Sequence, residues 1–140
     1  MSDRFFLDTN VFVYELDDSD SAKSQRASEL IDSAVASKRG VVSYQVVQEF
    51  FSVALTRFAK PFSVGEAEDY LSLIFKPILA VHSSPRLFLE AIQVRQQHRF
   101  SWYDSLIVAA AQQADCSILY TEDMQHGRRI GKLKIVDPFR

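Results

Sequence analysis

Four acidic residues stand where short apolar runs give way to other structure. Asp8 directly follows Phe5-Phe6-Leu7, and Glu49 lies in Val47-Gln48-Glu49-Phe50. Asp104 lies in Ser101-Trp102-Tyr103-Asp104, and Asp123 follows Ile118-Leu119-Tyr120 within Thr121-Glu122-Asp123. If the fold gathers these carboxylates, like charges within a few ångströms need protons or cations between them. All-oxygen donors suit a hard divalent cation such as Mg²⁺ or Mn²⁺. One such ion, or two held roughly 3.5–4 Å apart, can activate water and neutralise phosphate oxygens, which is the chemistry of phosphodiester hydrolysis.

Each acid also has a local explanation, and at the level of sequence both stand. Asp104 lies three residues after Ser101, a spacing close to a helix capping box. Asp8 can cap a short helix beginning at Thr9 or Asn10. Glu49 borders the apolar stripe of its helix, where burying an unpaired carboxylate is costly, although a rim position with access to water relieves that cost. Asp123 and Glu122 can be turn residues ahead of Gly127. A single cation site accounts for all four acids at once, which the separate local explanations do not.

The elements that must position them follow from apolar patterning. Phe5–Leu7, Val41–Val42, Ile78–Val81, Ile118–Tyr120 and Leu133–Val136 are short, rich in branched or aromatic residues and bounded by polar residues, Gly or Pro. They read as buried strands. Apolar residues at a period near 3.6 predict helices over Ala22–Ala36, Tyr44–Phe58, Ser63–Phe75 and Pro85–His98, with a fifth starting near Ser101. Strands alternating with helices predict an α/β fold with a central parallel sheet of about five strands. In such sheets the site lies beyond the carboxyl ends of the strands, where strand order reverses, and the four acids fall at that rim.

The chain has 140 residues, consistent with a single domain over 1–140. One cysteine rules out a disulfide framework or a cysteine-built zinc site, and it fits a reducing compartment. No apolar run reaches membrane-spanning length and the N-terminus has no signal-peptide pattern, so the expected location is the cytoplasm. The net charge of −2 argues against a uniformly basic nucleic-acid-binding module. That charge is unevenly distributed. Residues 1–32 carry eight acidic and three basic side chains, and residues 33–140 carry ten acidic and thirteen basic. Bound cations would offset the four clustered acids, so an RNA substrate is compatible with the balance.

The motifs Asp8-Thr9-Asn10-Val11, Gln48-Glu49-Phe50, Trp102-Tyr103-Asp104-Ser105-Leu106-Ile107 and Leu119-Tyr120-Thr121-Glu122-Asp123, in that order, resemble those of PIN-domain proteins. The resemblance spans essentially the whole chain. In length and layout the chain is most similar to the VapC-type toxins of bacterial and archaeal toxin–antitoxin pairs. That resemblance implies a three-layer α/β/α fold and a Mg²⁺- or Mn²⁺-dependent endoribonuclease using one or two ions. It implies that Asp8, Glu49, Asp104 and Asp123 form the catalytic metal site, with Thr9, Asn10 and Thr121 orienting ligands or water. Asp123 rather than Glu122 matches the family's Thr-x-Asp spacing. The resemblance further implies an RNA substrate, a homodimer, and a VapB-like antitoxin that lays a C-terminal segment across the acidic pocket.

Other residues carry weaker signals. Arg128 and Arg129, with Lys132 and Lys134, form the densest basic cluster. It is either a solvated loop or a phosphate-binding rim near Asp123. His82, His98 and His126 are expected at the surface rather than as a catalytic pair, and Cys116 as a small core residue. Trp102 either packs beside Asp104 or stacks a base. A receiver domain would need a lysine after its last strand, and a dehalogenase-like phosphatase a second Asp where Asn10 stands. The remaining alternative is a catalytically silent PIN-like RNA-binding or assembly subunit.

Overall fold

The computed structural model describes residues 3–140. Six strands form one sheet: β1 (Phe5–Leu7), β2 (Gly40–Ser43), β3 (Leu79–Val81), β4 (Ile118–Tyr120), β5 (Arg129–Ile130) and β6 (Leu133–Val136). Their spatial order is β3-β2-β1-β4-β6-β5, parallel throughout except for the β5–β6 pair. The helices are α1 (Thr9–Glu15), α2 (Ser21–Ser37), α3 (Tyr44–Ala54), α4 (Val64–Tyr70), α5 (Pro85–His98) and α6 (Trp102–Gln113).

The chain steps from β1 to β2 to β3 in one direction, then crosses β1 to enter β4 on the other side. Right-handed crossovers therefore place α1–α3 on one face of the sheet and α5 and α6 on the other. The packing agrees: α1 contacts α2 and α3, while α5 lies along α6. This is the three-layer α/β/α arrangement. Strand order reverses between β1 and β4, so the residues following them share one rim.

The close approach of α2 to the sheet depends on Gly40. A Cβ there would collide with Ala34 Cβ and Cα and with the Phe5 ring. No larger residue fits without separating the helix from the strand.

The structure departs from the sequence reading in four places. The sheet has six strands, not five, because Arg129–Ile130 form a two-residue strand that turns at Gly131 (φ +59°) into β6 as a hairpin. That strand pairs buried Ile130 with buried Leu133 and sets Arg129 opposite Lys134 on the sheet edge. A two-residue pattern is too short to register as a strand by periodicity, and its charges protect an edge. Helix α1 is a separate element and not merely an alternative explanation for Asp8. Helix α3 stops at Ala54 rather than Phe58. The Phe62 amide bonds the Ala54 carbonyl at 2.9 Å, and Phe58 and Phe62 fold back to within 6.2 and 5.9 Å of the Phe50 ring. The apolar spacing thus reflects burial after a turn. Finally, the helix over Ser63–Phe75 becomes a π turn at Leu71–Phe75, where Lys76 N–H reaches back to the Leu71 carbonyl at 2.8 Å. The wider turn leaves Phe75 fully buried against Phe12, Phe50, Phe51 and Tyr70.

Among the described residues no helix is long and apolar enough to cross a membrane.

Candidate functional site

Asp8 leaves the carboxyl end of β1 and is 4% exposed. Its Oδ1 accepts the Thr9 amide at 2.7 Å, so it caps α1. Its Oδ2 accepts the Thr121 hydroxyl, also at 2.7 Å, from the residue that follows β4. The capping explanation and the site explanation therefore hold together, because one carboxylate ties the two strands at the reversal point. Thr121 serves twice, since its Oγ1 also accepts the Asp123 amide at 3.1 Å.

Two residues of α1 extend this network. The Thr9 hydroxyl donates to Glu49 Oε1 at 2.8 Å, reaching the second turn of α3. Asn10 Nδ2 donates to Asp123 Oδ2 at 3.1 Å. The sequence-derived trio Thr9, Asn10 and Thr121 thus links Asp8, Glu49 and Asp123 directly. Asn10 Oδ1 is buried without a partner and so presents a free oxygen acceptor inside this group.

Asp104 enters from the opposite layer. Ser101 caps α6, its hydroxyl accepting the Asp104 amide at 3.1 Å, and Asp104 stands half-buried in the first helical turn. Helices α3 and α6 are joined by buried Gln45, whose Nε2 donates to the Tyr103 carbonyl at 3.3 Å.

The electrostatics show how closely the acids are associated. Burial pushes the Asp8 carboxyl up to about 7; the hydrogen bonds from Thr121 and Thr9 oppose this, while negative Asp123 and Glu49 reinforce it. Asp104 is also raised, by burial first and then by Asp123, against the opposing pull of Ser101. Asp8 thus feels Asp123 and Glu49, and Asp104 feels Asp123. The donors are exclusively oxygen, which fits a hard divalent cation. As the side chains stand, no three His, Cys, Asp or Glu groups among the described residues close on a common point. Glu49 and Asp123 are instead engaged by Thr9 and Asn10.

Other candidates lie apart from this group. Glu122, adjacent to Asp123, turns away to Tyr14 and Lys23. The Arg128 guanidinium lies 4.5 Å from the Phe100 ring centroid and bonds the His98 carbonyl at 3.3 Å, while Arg129 is exposed on β5. His82 and His126 are exposed, and half-buried His98 faces Arg128, so no histidine pair forms. Cys116 is buried and burial pushes its thiol up to about 12, in keeping with a core residue. Trp102 packs against the core beside Phe88, with ring centroids 6.4 Å apart.

Sequence reasoning missed Ser43, Gln45 and Ser105, buried polar residues where β2, α3 and the start of α6 meet. It also missed Tyr14 and Lys23. The one available signal was the spacing of Asn10 and Tyr14, four residues apart on α1 and hence on one helix face.

The PIN domain family matches residues 5–132 of the chain. The chain belongs to the PIN domain family. Family membership agrees with the resemblance carried by the four acidic motifs. No curated protein sequence matches the chain. Among solved structures, this PIN domain is similar to FitAB bound to an IR36 DNA fragment, with TM-score 0.71 and 19% identity over 97% of this chain and 96% of that one. It is also similar to a toxin–antitoxin complex from Klebsiella pneumoniae, with TM-score 0.64 and 17% identity over 95% and 96% of the two chains. A third is VapC20 of Mycobacterium tuberculosis, a sarcin-ricin loop cleaving toxin, with TM-score 0.62 and 20% identity over 85% and 89%. These likenesses show a shared fold.

Proposed function

We propose that this PIN domain is a Mg²⁺- or Mn²⁺-dependent endoribonuclease and the toxin of a toxin–antitoxin pair. The observation that carries the reading is buried Asp8, set at the strand-order reversal in the negative field of Glu49 and Asp123. An unfavourable cluster of this kind gains stability from a cation, and all its donors are oxygens. The toxin role is supported by likeness to VapC20, described as cleaving the sarcin-ricin loop, and to toxin–antitoxin complexes. On the same basis the expected partners are an RNA substrate, a VapB-like antitoxin and a second copy of the chain.

Asp8, Glu49, Asp104 and Asp123 would hold one or two ions. When bound, these supply charge neutralisation on the phosphate oxygens and an ionisable water at neutral pH. The chain's own residues arrange the rest. Asp8 is kept in place by the Thr9 amide and the Thr121 hydroxyl. Thr9 aims Glu49 and Asn10 aims Asp123. Hydrolysis by water attack at phosphorus breaks the bond to the 3′ oxygen, leaving 3′-hydroxyl and 5′-phosphate ends. Arg129, exposed on edge strand β5, would add affinity for backbone phosphate outside the acidic group without reading bases, whereas Arg128 is held against Phe100 and His98.

The test is cleavage of RNA by purified protein in Mn²⁺, with mapping of new 5′ ends after induced expression. Asp8→Asn and Asp104→Asn are each expected to lower cleavage by roughly 100-fold or more while the circular dichroism spectrum is preserved. Full activity in both variants overturns the site assignment. A wild-type protein with no affinity for Mn²⁺ points instead to a catalytically silent RNA-binding or assembly module.

A further inference from the structure

Glu122 and Asp123 are consecutive acids with opposite surroundings. Asp123 is bonded by Asn10, and Glu122 by Tyr14, whose hydroxyl donates to Oε1 at 2.7 Å. Asn10 and Tyr14 are one helical turn apart on α1, so the helix grips two successive residues of the segment after β4. Lys23, from α2, completes the outer grip. Its Nζ donates to Glu122 Oε2 at 2.9 Å and lies 3.4 Å from the Tyr14 oxygen and 4.5 Å from the Tyr14 ring centroid.

This cluster is braced on its other side. The Phe139 ring meets Tyr14 edge-on at 4.9 Å, and Lys23 Nζ lies 5.7 Å from its centroid. Arg26 Nε donates to the Pro138 carbonyl at 3.3 Å, holding the chain end against α2. The Lys23 and Glu122 side chains are 30% and 29% exposed. A lone surface ion pair contributes little, but a partly buried pair sharing a phenol and two ring faces restricts geometry.

We propose that Lys23 and Tyr14 are positioning residues: by tethering Glu122 they keep it out of the acidic rim and hold Asp123 in place on α1. The inference rests on reading Asp123 as part of the metal site. Released from the tether, Glu122 would no longer restrain its neighbour, and Asp123 would leave the position in which Asn10 and Thr121 hold it more readily. The Thr121–Asp123 segment would then be held only through Asn10 and Thr121.

The test uses Lys23→Met and the milder Tyr14→Phe, which keeps the ring against Phe139. Two readouts are taken on the full chain: Mn²⁺ affinity by calorimetry, and hydrogen exchange of the Asp123 amide, which bonds Thr121. The expected result is Mn²⁺ binding weakened roughly tenfold and Asp123 exchange accelerated about tenfold. The Asp8 amide, which bonds the Tyr120 carbonyl, should be unaffected. The sign is diagnostic, because removing the Lys23 charge by Coulomb's law alone would tighten cation binding. The charge swap Lys23→Glu with Glu122→Lys should recover both readouts. Unchanged exchange, or unchanged or tighter Mn²⁺ binding in both single variants, overturns the tether. If wild type binds no Mn²⁺, the metal reading fails, and the exchange measurement alone then decides the tether.

Discussion

Glu49 and Phe50 are consecutive residues of α3, yet they serve regions built on opposite rules. Phe50 is fully buried, its ring stacked 4.6 Å from Tyr70 and edge-on to Phe75 at 5.3 Å, with Phe12, Phe51, Phe58 and Phe62 around it. Every contact there lowers the energy of the folded chain. Glu49 faces the acidic rim, where it and Asp123 make ionisation of buried Asp8 harder. The aromatic cluster contributes stability and carries no chemistry. The rim holds polar groups at a cost to the fold, as functional sites do. Because α3 belongs to both, the aromatic cluster anchors the rim.

The largest expected effect attacks that anchor. Phe50→Ala should destabilise the fold by about 3–5 kcal/mol in urea denaturation, because it opens a cavity among six aromatic neighbours that cannot collapse together. A loss below about 1 kcal/mol would mean the cluster is not the anchor described.

The second prediction concerns the rim and has the opposite sign. The Asp8 carboxyl rises from 3.8 to about 7 on folding, so between those values the folded state binds more protons than the unfolded one. Its stability cost is therefore absent below pH ~4, grows as pH rises, and is complete above pH ~7. Asp8→Asn keeps a good helix cap but removes the charge. With metal chelated, the variant should be more stable than wild type by roughly 1–3 kcal/mol at pH 8 and indistinguishable from it near pH 4. Destabilisation at pH 8 would show that the Thr9 and Thr121 hydrogen bonds outweigh burial.

The smallest effect lies next to Asp104, on α6. Ser105 is fully buried and its Oγ has no hydrogen-bond partner among the described residues. Ser105→Ala should change stability by less than about 1 kcal/mol, and in the stabilising direction, since a buried unpaired hydroxyl is removed. A clear loss would reveal a bridging water that ties α6 to its neighbours.

Much of the fold was legible along the chain. The inner strands β1, β2 and β4 carry apolar runs with no exposed residue, because a parallel sheet covered on both faces shields both sides of its inner strands. The helix expected over Pro85–His98 has those bounds in the structure, where Ser84 caps its start and Arg99 leaves it with φ 60°. Shorter features were not legible. The hairpin strand β5 is two residues long, and the π turn at Leu71–Phe75 preserves an apolar pattern that a regular helix would also show. Phe58 sits at a helical spacing yet belongs to a turn that folds back on Phe50.

The acidic site divides in the same way. Residue types and their places after β1 and β4 and near the starts of α3 and α6 made Asp8, Glu49, Asp104 and Asp123 candidates, because strand ends and the helix starts beyond them share a rim in an alternating α/β chain. Which of two adjacent acids faces that rim could not be read from Thr121-Glu122-Asp123. That choice depends on Asn10, Tyr14 and Lys23, which lie about a hundred residues away in sequence and meet Glu122 and Asp123 only after α1 and α2 pack beside β4. The chain order of apolar runs and acids determined the fold class and the candidate acids, since periodicity and charge are local properties. Tertiary structure alone decided the partner of each carboxylate, since burial, hydrogen bonding and the fields that shift a pKa arise from groups brought together across the fold.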